Sequence, residues 1–356
     1  MTLKTQRNVI GSVPGTQAKN LFINPSLRYW QALGPSPAAV SASTAESLCA
    51  DGWFVNPGDT GGLYDYSVSR YALSDAERTN IGDESIDYGI NLNVTSIANN
   101  TDRGPGLVHK IENVRKSGNK TFTVSFWAES PTNSILKVRG IQHFGVSGST
   151  LVETTEQDAV LTSGTFRYFV LKFEFDSLSG KTVDATDLQN WFGISFRLAP
   201  NTTGQFRITT PQIEEGPSVS DFFLPDSASE LVTCQRYFEK TYDPEVVPGT
   251  ITREGEIIVK ESGTDIWNSL YFDFEVLKLY NPAETDNLWA WYNPSTGAKN
   301  SIAHVGVANY NIDTNYSEGE SLRRSFMVKL TASLTLEDRI MAGHFVADST
   351  IKTQDY

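Results

Sequence analysis

The chain of 356 residues has only two cysteines, Cys49 and Cys234, and neither stands in a CxxC or any other metal-ligand spacing. That excludes a cysteine-built zinc site and a disulfide scaffold, and it leaves both as thiols in a reducing compartment. No run approaches 18 apolar residues, and no apolar stretch follows the first basic residues. Neither a membrane span nor a signal peptide is therefore expected. Clustered Lys and Arg are missing too, and the net charge of −13 argues against a nucleic-acid partner. Catalytic signatures are equally scarce: the four histidines are scattered, and there is no HExxH, GxSxG or Cys-His pattern. Glu214 and Glu215 are adjacent, so on a strand they point to opposite faces and cannot flank one glycosidic bond. No catalytic residue is expected, and no cofactor.

Aromatic residues are plentiful, at 11%, while charged residues make up 20%. This balance suits β-rich domains with flat faces. From Leu63 onward, short strand-like runs recur: LYDYSVSRY, SIDYGINLNV, TFTVSFWAE, SILKVRGIQHFGV, FRYFVLKFEF, WFGISFRLA and QFRITTPQIE. Gly, Asn, Ser and Thr clusters separate them, and no helical period is long enough for βαβ crossovers. An all-β jelly-roll β-sandwich is the expected packing, with Asn20–Gln31 as its opening strand and turn, and 32–60 as loops. A second series, from GEIIVKE to RIMAGHFVAD, implies a second, smaller β-sandwich domain.

Between the two series, Ser227 and Glu230 have capping-box spacing, and Leu231, Cys234 and Phe238 fall on one helical face. A helix this short is unstable alone and must dock. The expected division is an N-terminal arm over 1–19, a jelly roll over 20–225, a joint helix and linker over 226–243, and a C-terminal β domain over 244–356.

The joint carries QIEEG at Gln212–Gly216 and a segment of the form ELxxCQRYFEK at Glu230–Lys240. In order with these come HKIENV at His109–Val114, VSFWAES at Val124–Ser130, HFGVSGS at His143–Ser149, YNPSTGAKNSI at Tyr292–Ile302 and GHFVADS at Gly343–Ser349. The set resembles a recurrent module of bacteriophage and prophage tail fibres and related virion proteins, with a carbohydrate-binding-module-like jelly roll. It departs at Phe222–Asp226, where FFLPD replaces the family's Glu-Arg-Pro, so contacts of that Arg do not carry over. The resemblance implies a virion location, synthesis in the host bacterial cytoplasm, and a homotrimer. It also implies attachment to other virion proteins through the N-terminal arm. An exposed Trp289-Ala290-Trp291-Tyr292 cluster would favour the same oligomer.

Alternation sorts the faces of the first domain. Phe122, Val124 and Phe126 oppose Ser125 and Trp127; Phe169, Leu171 and Phe173 oppose Tyr168, Lys172 and Glu174; Phe192, Ile194 and Phe196 oppose Trp191, Ser195 and Arg197. Isolated aromatics beside polar groups suit a sugar, whose C–H face stacks on a ring while its hydroxyls need partners. Trp127, Tyr168 and Trp191 are the expected platforms for a host cell-surface glycan, with Lys172, Glu174 and Arg197 as hydrogen-bonding groups. A structural Ca²⁺ held by Asp65, Asp83 or Glu214 stays open. Alongside receptor binding stand a purely structural capsid or tail decoration, and a tail-spike depolymerase, although the repeating turn-and-strand period of a β-helix is missing.

Overall fold

The structure is a computed structural model that describes residues 20–43, 45–58, 63–98, 103–132, 134–184, 190–261, 269–273, 275, 289–299, 301–304, 310–313, 325–330 and 339–348. The expected arm over 1–19 lies outside the described residues.

The first thirteen strands form two antiparallel sheets. One contains β1 (Ala38–Ser43), β4 (Leu63–Ala72), β5 (Tyr88–Ala98), β7 (Thr121–Glu129), β11 (Arg167–Glu174) and β13 (Gly204–Glu215). Their spatial order is β1-β4-β5-β13-β7-β11. The other contains β2 (Ser47–Leu48), β3 (Trp53–Asn56), β6 (Gly106–Glu112), β8 (Ser134–His143), β9 (Val152–Glu153), β10 (Gln157–Leu161) and β12 (Trp191–Arg197). Here the order is β10-β8-β12-β6-β3-β2, with β9 extending the outer edge of β8. The chain passes repeatedly from one sheet to the other, as in a jelly roll.

The facing sides of the two sheets make one core that includes Val68, Ile90, Leu92, Phe122, Phe126, Phe192, Phe196 and Phe206. Phe122, Phe126, Phe192 and Phe196 sit on the faces that alternation assigns to hydrocarbon. Two stretches differ from expectation. Asn20–Gln31 forms no strand; it crosses the sandwich as an irregular segment, with Phe22, Leu27 and Trp30 in the core. Its backbone is satisfied by side chains, including Ile23 N–H donating to His109 Nε2 at 2.9 Å and Tyr29 N–H to Asn24 Oδ1 at 3.2 Å. The supposed loops of 32–60 contain β1, β2 and β3; β3 is short but completely buried, and it pairs with β6.

A central proline explains an irregularity in β13. Pro211 has no N–H to give to a ladder, so a central strand can hold it only at a bulge. The register of β13 against β7 shifts between Thr209 and Gln212, and Thr210 takes a positive φ of 48°. Asn20 stitches the gap, donating from Nδ2 to Pro211 O and accepting from Ile213 N–H at Oδ1, each at 3.0 Å.

Two helices matter. The sequence reading passed over α1 (Asp75–Ile81), which carries a complete capping box between Ser74 and Glu77 and ends at Gly82 in the left-handed conformation. The joint helix α2 (Ser227–Gln235) is present, but Asp226 caps it, accepting from the amides of Ala228 and Ser229. Glu230 is turned inward instead of closing a box.

Beyond α2, the strands among the described residues gather in an eight-stranded antiparallel sheet: β14 (Phe238–Lys240), β15 (Ile257–Glu261), β16 (Ser269–Asp273), β17 (Trp289–Tyr292), β18 (Ser301–His304), β19 (Tyr310–Asp313), β20 (Ser325–Leu330) and β21 (Arg339–Asp348). β21 is its hub, pairing with β14 and β17 near its C-terminal end and with β15 and β18 near its start. The side chains of Trp289 and Trp291 lie outside the described residues. Tyr292 packs beside Phe238, Tyr242 and Val346.

Candidate functional site

A sandwich offers a ligand two outer sheet faces, and α2 settles which is open. The helix and the residues after it lie on the outer face of the β10-β8-β12-β6-β3-β2 sheet, where Cys234 and Tyr237 pack with Val108, Ile141 and Trp191. Polar contacts fasten it. Arg236 donates to both oxygens of Glu112 at 2.8 and 3.0 Å, and Tyr237 Oη donates to Glu112 as well. Glu230 accepts from the amide of Ser26 at 3.0 Å and from its hydroxyl. Burial raises the Glu230 carboxyl above its ordinary value, against those two hydrogen bonds.

This corrects two expected contacts. Trp191 points away from the main core, as alternation requires, but α2 covers it and its exposure is 0%. Its ring stacks on His143 at 5.3 Å. Arg197 is equally enclosed, donating from Nη1 to Asn56 Oδ1 at 3.0 Å and to Gly104 O at 3.2 Å. Neither side chain can reach a sugar. Alternation tells which way a residue points, not what lies on top of it.

The outer face of the six-stranded sheet is partly open: Tyr168 and Lys172 are exposed and Tyr71, Trp127 and Arg207 half-buried, while Thr123, Ser125, Glu129, Thr209 and Gln212 are buried. Tyr71 on β4 stands opposite Gly89 on β5, Thr209 on β13 opposite Trp127 on β7, and Trp127 opposite Tyr168 on β11. Gly89 in turn meets β13: a Cβ there would lie 2.7 Å from Ile208 O and 3.5 Å from Thr209 Cβ. The row thus runs from a ring, over glycine and threonine, to a pair of rings. Its floor is low, and three strand spacings, about 14 Å, separate Tyr71 from Trp127. Trp127 and Tyr168 are tilted together with centroids 5.4 Å apart, and Tyr168 is 47% exposed. Lys172, also outward on β11, is exposed and pairs with Glu174 at 3.0 Å.

Beside this row lies a second one, in which Ser69, Asn91, Arg207 and Glu129 stand opposite one another across four strands. Arg207 Nη1 donates to Glu129 Oε1 at 2.6 Å, and its guanidinium lies 4.1 Å from the centre of the Tyr71 ring. Tyr71 Oη donates to Glu77 Oε1 at 2.6 Å. Glu77 Oε2 accepts from the Ser74 amide at 2.7 Å and from its hydroxyl at 2.8 Å. The α1 cap and the sheet face therefore share one carboxylate. Gln205 Nε2 adds a bond to Asn91 Oδ1 at 2.6 Å.

Glu129 is 2% exposed; beyond the Arg207 contact its carboxyl feels the backbone N–H of Gly164, and its Oε2, Arg207 Nε and Gln212 Oε1 are enclosed without a well-formed hydrogen bond among the described residues. Such enclosed atoms are costly in a finished interior and suit an internal water rather than a ligand at the surface. Burial raises the Glu129 carboxyl, and the opposing Arg207 charge does not fully offset it. Burial also opposes ionisation of Glu77, but the bonds from Tyr71 and Ser74 and the Arg207 charge outweigh it and hold its carboxyl low.

Of the residues expected from the sequence, Trp127, Tyr168 and Lys172 lie on this face; Tyr71, Glu77, Glu129 and Arg207, which gather beside them, were not among those expected. The Ser74-x-x-Glu77 capping pattern was a readable signal for Glu77. The rest depend on strand order.

Among the described residues, no three His, Cys, Asp or Glu side chains gather as a metal-binding group. Asp65, Asp83 and Glu214 fall on β4, on the turn after α1 and at the end of β13. Asp83 Oδ1 accepts from the amide and hydroxyl of Ser85, at 2.9 and 2.6 Å. Both cysteines are free and buried, and burial pushes the Cys49 thiol up to about 12. A cleft of about 490 Å³ at the junction, lined by Arg28, Tyr29 and 243–246, offers no open ring, since Tyr29 is 8% exposed.

No protein-family model matches the chain, and no curated protein matches it. Among solved structures, it is similar to a family 22 xylan-binding domain from Paenibacillus barcinonensis, at 10% identity and a TM-score of 0.32, covering 50% of this chain and 99% of that one. The family 11 carbohydrate-binding module of a Clostridium thermocellum cellulase gives 16% identity and a TM-score of 0.30, covering 50% and 95%. The enzymatically active domain of a bacteriophage CBA120 tailspike protein gives 12% and 0.30, covering 55% of this chain and 21% of that one. At identities and TM-scores this low, no ligand and no residue role carries over from them.

Proposed function

We propose that this chain is a non-enzymatic attachment protein of a bacteriophage particle, holding a host-surface glycan on the outer face of its six-stranded sheet. One observation carries the glycan reading: half-buried Tyr71 and the Trp127–Tyr168 pair, with Tyr168 47% exposed, stand in one row on the outer face, and the partly exposed Arg207 and half-buried Glu77 lie beside them. Rings accept the C–H faces of a sugar, and a neighbouring donor and acceptor suit its hydroxyls. The phage setting rests on the ordered motifs from His109 to Ser349. On this reading the segment 1–19 is an arm that joins other virion proteins, and the particle presents the chain as a homotrimer.

Stacking on a single ring contributes about 1–3 kcal/mol, so one site is weak, roughly millimolar. Several copies on one particle raise the effective affinity by about 10²–10⁴ without a new contact. Incubation of the full chain with host polysaccharide, following both retention and chain length, tests the proposal. Retention at constant length supports it; shortened chains indicate a depolymerase; a folded protein that retains nothing indicates a structural decoration.

A further inference from the structure

We propose that Glu77 makes this face selective for uncharged glycans and against acidic ones, an inference that rests on the glycan-binding reading above. At the centre of the face one guanidinium, Arg207, meets two carboxylates. Arg207 Nη1 is committed to Glu129 at 2.6 Å, while Glu77 is held at the edge of the same cluster by Tyr71 Oη. Further along, Lys172 is taken up by Glu174, and Glu214 adds another acid. The outward acids Glu77, Glu129, Glu174 and Glu214 thus outnumber the bases Lys172 and Arg207.

Hydrogen-bond chemistry points the same way. Arg207, with its side chain 22% exposed, is a donor, and half-buried Glu77 is an acceptor. A hydroxyl can both accept and donate, so a neutral diol satisfies the two together. Carboxylate, sulfate and phosphate groups only accept: they would satisfy Arg207 but bring like charge against Glu129 and Glu77. Hydrogen bonds and the Arg207 charge keep Glu77 ionised at neutral pH, so its charge is present when a ligand arrives.

Glu77 is the member of this cluster whose charge can be removed with least disturbance. It occupies the third position of the α1 capping box, where Gln serves as well as Glu. An amide there still accepts from Ser74 and can still bond Tyr71 Oη. Glu77→Gln therefore deletes a charge and leaves the helix start in place.

The test is a printed panel of bacterial surface polysaccharides, some neutral and some bearing uronate or phosphate, probed with the full chain and its variants at low salt. Wild type retains neutral members in preference to acidic ones. Glu77→Gln raises the acidic-to-neutral retention ratio roughly three- to tenfold, and about 0.5 M salt abolishes the difference between the two proteins. A helix-positioning role alone would not produce that salt dependence. Retention of acidic members equal to neutral ones by wild type, lost in Trp127→Ala, overturns the selectivity and leaves the glycan site standing. An unchanged ratio in Glu77→Gln likewise removes the assignment to this residue. Retention of no member by either folded protein overturns the glycan-binding reading, and this inference with it.

Discussion

Replacing Trp191 by Ala empties a space between the sheet and α2 that the ring fills completely, with 0% exposure. The expected loss is about 3–5 kcal/mol, the usual cost of deleting a buried large aromatic. Urea unfolding measures it, and an unchanged midpoint would mean that the ring does not pack under α2. Trp127→Ala belongs to the other class, since its ring is only half-buried on an open face. The period of two was legible in the sequence and separated Phe122, Val124 and Phe126 from Trp127 correctly. What covers the opposite sheet was not legible, because the cover arrives from residues 230–237, far along the chain. The Arg207–Glu129 pair was hidden for the same reason: it joins residues 78 positions apart through strand order alone.

Asp51 supplies a residue-scale prediction in pH. It is 1% exposed, accepts from Gln31 N–H at 2.9 Å and Nε2 at 2.6 Å, and burial raises its carboxyl from 3.8 to about 6. Between those values the folded state holds a proton that the unfolded state has released. The resulting stabilisation is full below pH 3.8 and is lost as pH rises through about 6. The stability of wild type relative to Asp51→Asn should therefore fall by about 1–3 kcal/mol between pH 4 and pH 7. Urea titrations of both proteins at the two pH values decide it; a constant difference would contradict the burial assigned to this carboxyl.

At the scale of elements, α2 is the joint that the sequence indicated, with a different cap and a different master. Its capping-box spacing was misleading, because Asp226 takes the cap and Glu230 is spent on Ser26. An apolar stripe says that a helix must dock but not where, and here it docks on the first sandwich. The ten-residue approach to it, 217–226, is largely exposed, so brief proteolysis should cut there. Because α2 stays on the sandwich while β14 pairs with β21, the two pieces should elute together in gel filtration without denaturant. Separate elution would show that the joint is held by the covalent link rather than by these contacts. The strands were the most legible elements, since nearly every alternating run became one. β3 escaped because four buried residues show no alternation.

At the scale of the molecule, the first sandwich has one covered and one partly open sheet face, and the chain carries a net charge of −13 and a further sheet beyond the joint. The all-β class followed from composition and periodicity. Which face is open followed only from the fold. Trimerisation predicts a mass three times that of the chain in light scattering at micromolar concentration, and a monomer mass would contradict it. A trimer would present three copies of the open face, turning weak sites into firm adsorption.

The most direct measurement is retention of host polysaccharide by wild type and Trp127→Ala, taken together with the urea midpoint of each. Loss of about 1–3 kcal/mol of stacking should lower retention roughly tenfold or more, while stability changes by no more than about 0.5–1 kcal/mol. A well-folded Trp127→Ala protein that still binds the polysaccharide as wild type does would contradict a glycan site on the six-stranded sheet.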